Sequence, residues 1–173
     1  MEQLVKNAIK ASVQNFNLPT YEEIPDVGLY LEQTTSYVAE HLAPLQNISI
    51  TTSMVSNYVK QGLIDNPVKK LYYRDQIAYL FFIAVAKNVL SMENLSLFIG
   101  LQKESYSVKK AYDYFCEEME NILYFRFGLK DSVTDVGVTS SLEKEMLRSA
   151  ITAVSHIVYL NRCFRLLADS SIP

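Results

Sequence analysis

Glycine, proline and cysteine are scarce in this chain of 173 residues, which contains five Gly, five Pro and two Cys. So few Gly and Pro exclude collagen-like and Pro/Gly-rich architectures. Two Cys, at positions 116 and 163, cannot form a disulfide framework, so we expect a reducing compartment. The apolar fraction of 49% excludes a disordered chain, and the length suits one domain or a small head with an appendage.

Long apolar runs and export signals are also absent. The most apolar window, residues 76–89, spans 14 residues, whereas a membrane span needs roughly 20. This window therefore predicts a buried helix. The first ten residues include Glu2, Lys6 and Lys10 and hold no continuous apolar core of a signal peptide. We expect a soluble, cytoplasmic protein with no membrane partner.

Residue patterns of known catalytic and metal sites are missing. His41 and His156 have no Cys, Asp or Glu at ligand spacing, and neither Cys116 nor Cys163 has an adjacent base. The five glycines are isolated, so there is no phosphate-binding loop. We therefore expect a protein that is not an enzyme and that carries no cofactor or metal.

Apolar residues recur at helical spacing along nearly the whole chain, which predicts an all-α fold. The predicted helices span residues 27–43, 51–61, 74–88, 92–99 and 104–127, followed by a loop over 131–141 and a last helix opened by a Ser140–Glu143 capping box. Gly62, Gly100 and Gly128 are expected to end three of these helices. The one candidate extended segment, residues 68–73, allows a very short hairpin. On the last helix, the predicted core stripe is Leu142, Met146, Ala150, Val154, Ile157, Phe164 and Leu167.

Positive charge is concentrated in the middle of the chain. Residues 51–90 carry a net charge of +3, whereas the whole chain carries −3. Within this part, Val55 and Val59 are expected to face inward, and the outward face of the same short helix has only small polar groups and one cation: Ser53, Ser56, Asn57 and Lys60. A helix that enters the DNA major groove needs short donors and acceptors for base edges and a cation for phosphate.

The order of features after this helix is informative. Gly62-Leu63-Ile64 ends the helix, the pair Lys69-Lys70 follows, then Leu71-Tyr72-Tyr73-Arg74, an apolar helix and a second helix opened by Ser91-Met92-Glu93. This order resembles the helix-turn-helix (winged-helix) head of MerR-type regulators. The whole chain resembles a family of small proteins from Gram-positive bacteria that carries a domain-of-unknown-function label. The resemblance implies transcription regulation, and repression is favoured.

The resemblance implies three regions: residues 1–26 as an N-terminal helix and lead-in, 27–100 as the DNA-binding head, and 101–173 as a C-terminal helical pair for dimerisation. Ser53, Ser56 and Asn57 would approach base edges, with Thr52 and Tyr58 on the same helix. Phosphate contacts would come from Lys60, Lys69, Lys70, Tyr72 and Arg74. The expected partner is double-stranded DNA, bound by a homodimer, because one copy offers few cations.

Two other function classes stay open. MerR-type heads usually carry an Arg and an aromatic pair where this chain has Ser56, Asn57 and Tyr58, which favours a protein-interaction module that keeps a helix-turn-helix core without binding DNA. The other class is a ligand-binding helical bundle. Its pocket would lie between the long helices and be lined by Tyr106, Tyr112, Phe115 and Tyr159.

Overall fold

The computed structural model describes residues 2–137 and 139–170, and this part of the chain contains seven α-helices and one pair of two-residue strands. The helices are α1 (Glu2–Ala11), α2 (Leu31–Leu42), α3 (Thr52–Lys60), α4 (Arg74–Ala86), α5 (Met92–Ser105), α6 (Val108–Arg126) and α7 (Leu142–Ser170). The strands are β1 (Leu29–Tyr30) and β2 (Leu71–Tyr72). The predicted all-α fold is confirmed.

Helix α4 is the centre of the core. Nine of its thirteen residues are buried. Most of the circumference of the helix therefore packs against other parts of the protein, as expected of a helix enclosed by others. It contacts α2, α6 and α7. The predicted buried helix in residues 76–89 is confirmed, although the helix ends at Ala86. One hydrophobic cluster runs from Ile9 in α1 to Val158 in α7.

The two strands pair antiparallel, with Leu29 opposite Tyr72 and Tyr30 opposite Leu71. The pairing joins the start of α2 to the segment before α4. A Cβ at Gly28 would lie 2.7 Å from the Cβ of Leu71, so the close approach of these segments needs glycine at this position. The prediction of a helix over residues 27–43 is therefore wrong at its start, because strand pairing captures Leu29 and Tyr30.

Several helix ends follow the sequence signals. Gly62 has φ +72° after α3, and the Leu63 amide donates to the Tyr58 carbonyl at 2.9 Å, which closes a Schellman motif. Gly128 has the same role after α6. Gly100 does not end a helix, because α5 continues to Ser105, and α6 begins at Val108 rather than near Glu104. Ser141, not Ser140, accepts from the Lys144 amide at the start of α7, at 3.4 Å.

Helix α7 faces the core with a stripe that only partly matches the predicted one, since Ala150 and Val154 of the predicted stripe are buried. Leu147, Ile151, Val154 and Val158 are buried, whereas Leu142, Met146, Ile157, Phe164 and Leu167 are substantially exposed. Next to the buried Leu147, Arg148 donates at 2.8 Å to Glu118, a fully buried carboxylate on α6. The pair holds this side of α7 against α6.

Candidate nucleic-acid interface

Helix α3 has an exposed polar face and a buried apolar face. Thr51 caps the helix, because its hydroxyl accepts from the Met54 amide at 3.2 Å. Val55 and Tyr58 are buried, and Thr52 is half-buried. The outward residues are Ser53, Ser56, Asn57 and Lys60, all exposed. The predicted polar face is therefore available to a partner and is not covered by the described part of the chain.

The connection from α2 to α3 is long but anchored. It covers residues 43–51, whereas the turn of a compact helix-turn-helix has three to four residues. Ile48 and Ile50 are buried, which holds the connection to the core. The Lys87 ammonium donates to the Ser49 carbonyl and lies 3.1 Å from the Met54 sulfur. Helix α3 is thus fixed at its start to the end of α4.

A two-residue β-turn presents the paired lysines. The Val68 and Leu71 backbones exchange two hydrogen bonds of 3.0 Å, and Lys69 and Lys70 between them have φ of 51° and 67°. Two successive left-handed residues define a type I′ hairpin turn, which usually carries Asn-Gly. Each non-glycine residue in the left-handed backbone conformation lowers the stability of the fold by about 1 kcal/mol. Both lysines are exposed. The short basic hairpin predicted from the sequence is present.

Three of the residues assigned to DNA contact are engaged elsewhere. Tyr58 and Tyr72 are each only 4% exposed, and burial raises the pKa of both phenols. Arg74 binds the lead-in segment: its guanidinium donates to the Ile24 carbonyl at 2.8 Å and to the Glu22 carboxylate at 3.1 Å. These three residues pack the head together, so we remove them from the candidate interface.

Gln76 is a positioning residue that sequence reasoning missed. Its buried side chain donates to the carbonyls of Asp65 and Asn66 at 3.0 and 3.2 Å. It also accepts from the Tyr73 amide at 2.8 Å. These bonds hold both ends of the hairpin against α4. The sequence feature that could have indicated this role is a single amide side chain near the start of an otherwise apolar helix.

The outward residues of α3 and the exposed Lys69-Lys70 turn, which follows α3 in the chain, are together called the basic surface below. Its cations are Lys60, Lys69 and Lys70. None of them forms an ion pair within residues 2–137 and 139–170. Asp65 is exposed in the connecting loop, and Asp75 accepts from the Tyr21 hydroxyl. One copy of the chain therefore offers three uncompensated lysines to a polyanion.

Neither a cluster of metal ligands nor a membrane span is found in the described residues. No group of three His, Cys, Asp or Glu side chains there could hold a metal ion. None of the helices described is both long and apolar enough to cross a bilayer.

The fold is all-helical, and a small basic hairpin follows a helix with an exposed polar face. The family model described as a domain of unknown function, DUF1836, matches residues 19–115, more than half of the chain. The chain belongs to this family. The match includes α3, the hairpin and every residue of the basic surface. No curated protein and no solved structure matches the chain.

Proposed function

We propose that this protein is a sequence-specific, double-stranded DNA-binding regulator of transcription, acting as a homodimer in the manner of MerR-type heads. Repression is the favoured sign of regulation. The observation that carries the proposal is the Lys69-Lys70 turn. Lysine is a poor residue for a type I′ turn, and strained backbone is concentrated at functional sites. Two exposed cations at a hairpin tip suit contact with phosphates.

The outward residues of α3 would read the bases. Ser53, Ser56 and Asn57 are short, exposed and on one face, so the helix backbone could approach base edges closely. The amide of Asn57 can pair with adenine through two hydrogen bonds. Lys60, one turn further on, would contact the adjacent phosphate.

The small number of lysines on one copy favours DNA binding by two copies of the chain. Three lysines on one copy would neutralise about three phosphates, which gives weak binding in a protein with a net charge of −3. A dimer doubles these contacts. A two-fold axis also matches the paired half-sites that helix-turn-helix dimers bind.

Helix α7 offers a surface for such a dimer. It carries apolar residues at alternating intervals of four and three, the spacing found in coiled coils, and all of them except the buried Ala150 are exposed: Met146, Ala150, Ala153, Ile157, Leu160, Phe164 and Leu167. Beside this row of apolar residues lie Ser149, His156 and Cys163, whose side chains carry no permanent charge. Like charges would therefore not meet across a two-fold axis.

Helix α5 widens this surface. Leu97 and Leu101 are exposed and line, with Met146, a groove of about 800 Å³ between α5 and α7. Residues 146–167 extend over about 33 Å at 1.5 Å per residue. A strip of that length, widened by α5 beside the first part of α7, approaches the ~800 Å² per partner of a stable interface. We propose that a second copy covers it, and we call it the α5–α7 surface.

An electrophoretic shift assay with the DNA upstream of the protein's own gene tests the proposal. The wild-type protein should shift this DNA in the presence of an excess of unrelated competitor. The double variant Lys69→Ala/Lys70→Ala should bind all sequences at least about tenfold more weakly. The control Lys10→Ala/Lys103→Ala removes the same charge from α1 and α5 and should bind normally. Equal binding by both double variants would remove the hairpin from the interface.

A protein-interaction module is the second candidate. The net charge of −3, the absence of Arg from α3 and the nine-residue connection between α2 and α3 favour it. It predicts that no duplex from a fully random pool is enriched by the protein. Enrichment of a two-fold symmetric motif would exclude this candidate.

A further inference from the structure

An apolar chamber lies inside the helical bundle, away from the basic surface. It has a volume of about 70 Å³ and is lined by residues of α4, α5 and α6 and by Leu147 of α7. Phe82 packs edge-to-face against Phe98 and Phe115 on its wall, with ring centroids 5.5 and 5.7 Å apart. Empty space with such a lining accepts hydrocarbon rather than water.

A wider vestibule adjoins the chamber. It has a volume of about 430 Å³ and shares Phe98, Gln102, Ala111 and Leu147 with the chamber as lining residues. The other residues that line it include Tyr106, Tyr114, Gly137 and Thr139. Together the two spaces reach the size of ordinary small-molecule sites, about 300–1,000 Å³.

The side-chain amide of Gln102, which lines both spaces, already has hydrogen-bond partners within the protein. Gln102 accepts from the Tyr79 hydroxyl at 2.8 Å, and its amide nitrogen donates to the Tyr106 carbonyl at 2.7 Å. These bonds turn its polar atoms toward the protein. A ligand that passes Gln102 therefore gains from burying apolar area and not from a new hydrogen bond to this amide.

The vestibule rim carries positive charge. The Lys110 ammonium lies 5.4 Å from the Tyr106 ring centre, and the Lys144 ammonium lies 5.0 Å from that of Tyr114. Lys144 also donates to the Thr139 carbonyl at 2.7 Å. Neither lysine has a carboxylate within 4 Å in the described residues. The one carboxylate on the rim, Glu143, accepts from the Ser105 hydroxyl at 3.1 Å.

We infer that the chamber and vestibule bind an amphiphile with an unbranched hydrocarbon tail and a carboxylate head. The tail enters the phenylalanine-lined chamber, and the carboxylate lies at the rim beside Lys110 and Lys144. This site goes beyond the proposed DNA binding, because it uses none of the residues of the basic surface. Of the four aromatic residues predicted to line a ligand pocket, Tyr106, Tyr112 and Phe115 do so. Tyr159 instead packs against Phe127 and Arg126.

Titration calorimetry with three eight-carbon probes tests the inference on the protein alone: octanoate, 1-octanol and octylammonium. Octanoate should bind with a stoichiometry of one per chain and more tightly than 1-octanol, and octylammonium should bind most weakly. Lys110→Ala/Lys144→Ala should weaken octanoate about fivefold to tenfold and leave 1-octanol unchanged. The control Lys69→Ala/Lys70→Ala removes the same charge from residues that line neither space and should not alter either affinity.

Ala111→Phe tests the position of the tail, because Ala111 lines both spaces. This variant should lose octanoate binding while its circular dichroism spectrum stays that of the wild type. Should Ala111→Phe fail to fold, methyl shifts of Leu147 in the wild-type protein on addition of octanoate provide the same test. No octanoate binding, binding that survives Ala111→Phe or leaves the Leu147 methyls unshifted, or preferred binding of octylammonium would overturn the inference. DNA binding is measured separately, so its failure leaves this result unaffected.

Discussion

Lys69 and Lys70 occupy consecutive left-handed positions in a turn whose flanking residues, Val68 and Leu71, are joined by two 3.0 Å hydrogen bonds. Local stability favours Asn-Gly in this turn. The lysines contact no carboxylate within the described residues. The turn therefore exposes two cations and lowers the free energy of unfolding, and this loss of stability can be measured.

Replacing the lysines by the preferred turn residues should stabilise the protein. We expect Lys69→Asn/Lys70→Gly to raise the free energy of unfolding by about 1–2 kcal/mol, because it removes two strained lysines. Urea denaturation followed by circular dichroism measures the change. Gly62→Ala places a side chain at φ +72° and should lower the same free energy by about 1 kcal/mol. A less stable Asn-Gly variant would contradict the turn geometry.

Asn57 should govern sequence preference rather than overall affinity. We expect Asn57→Ala to reduce the ratio of specific to non-specific DNA affinity by about tenfold, the discrimination of one bidentate base contact. Lys60→Ala, on the same exposed face, should instead weaken specific and non-specific binding together. Competitive anisotropy titrations on the selected site and on a scrambled duplex measure both ratios. If Asn57→Ala leaves the ratio unchanged, α3 does not read bases through this residue.

The Glu118–Arg148 ion pair should be important for stability. Arg148→Ala leaves a fully buried carboxylate with only the Tyr114 hydroxyl, which donates to it at 3.2 Å. Breaking such a pair costs about 3 kcal/mol, and chemical denaturation will show it. Arg165→Ala is the matched control on the same helix, because Arg165 binds only the neutral side chains of Gln46 and Asn47. Equal losses in the two variants would show that the ion pair does not contribute specifically to stability.

The α5–α7 surface should control the oligomeric state. We expect Leu97→Glu/Phe164→Glu to convert a dimer into a monomer, because it places four uncompensated carboxylates in the interface of the pair. Sedimentation velocity measures the mass of each species. Leu4→Glu is the control, since Leu4 is a similarly exposed apolar residue on α1, outside the surface. A wild-type protein that sediments as a monomer at high micromolar concentration would remove the dimer from the proposal.

Local signals in the sequence predicted the elements that depend on local physics. The enclosed helix α4 follows from a run of apolar residues, and the ends at Gly62 and Gly128 follow from left-handed glycines. The exposed polar face of α3 follows from helical spacing alone. These features depend on residues within one or two turns of each other, so the sequence pattern contains them.

The remaining features depend on contacts between distant residues. Leu29 continues a helical pattern but pairs with Tyr72 instead. Arg74 looks like a free cation in the sequence and is held by Glu22, 52 positions away. Arg148 on α7 pairs with Glu118, a buried carboxylate on α6, which no periodicity of α7 can report. Distant polar partners decide each of these cases.

The dependence of DNA affinity on salt tests the central claim most directly. Six lysines from a dimer, three per copy, should give a slope of about −5 for the logarithm of the binding constant against that of salt concentration. Lys69→Asn/Lys70→Gly removes four of these six lysines from the dimer and should give a slope of about −2. This loss of affinity is expected even though the same variant should be the more stable protein. A wild-type slope near zero, or the same slope in both proteins, would contradict DNA binding through this surface.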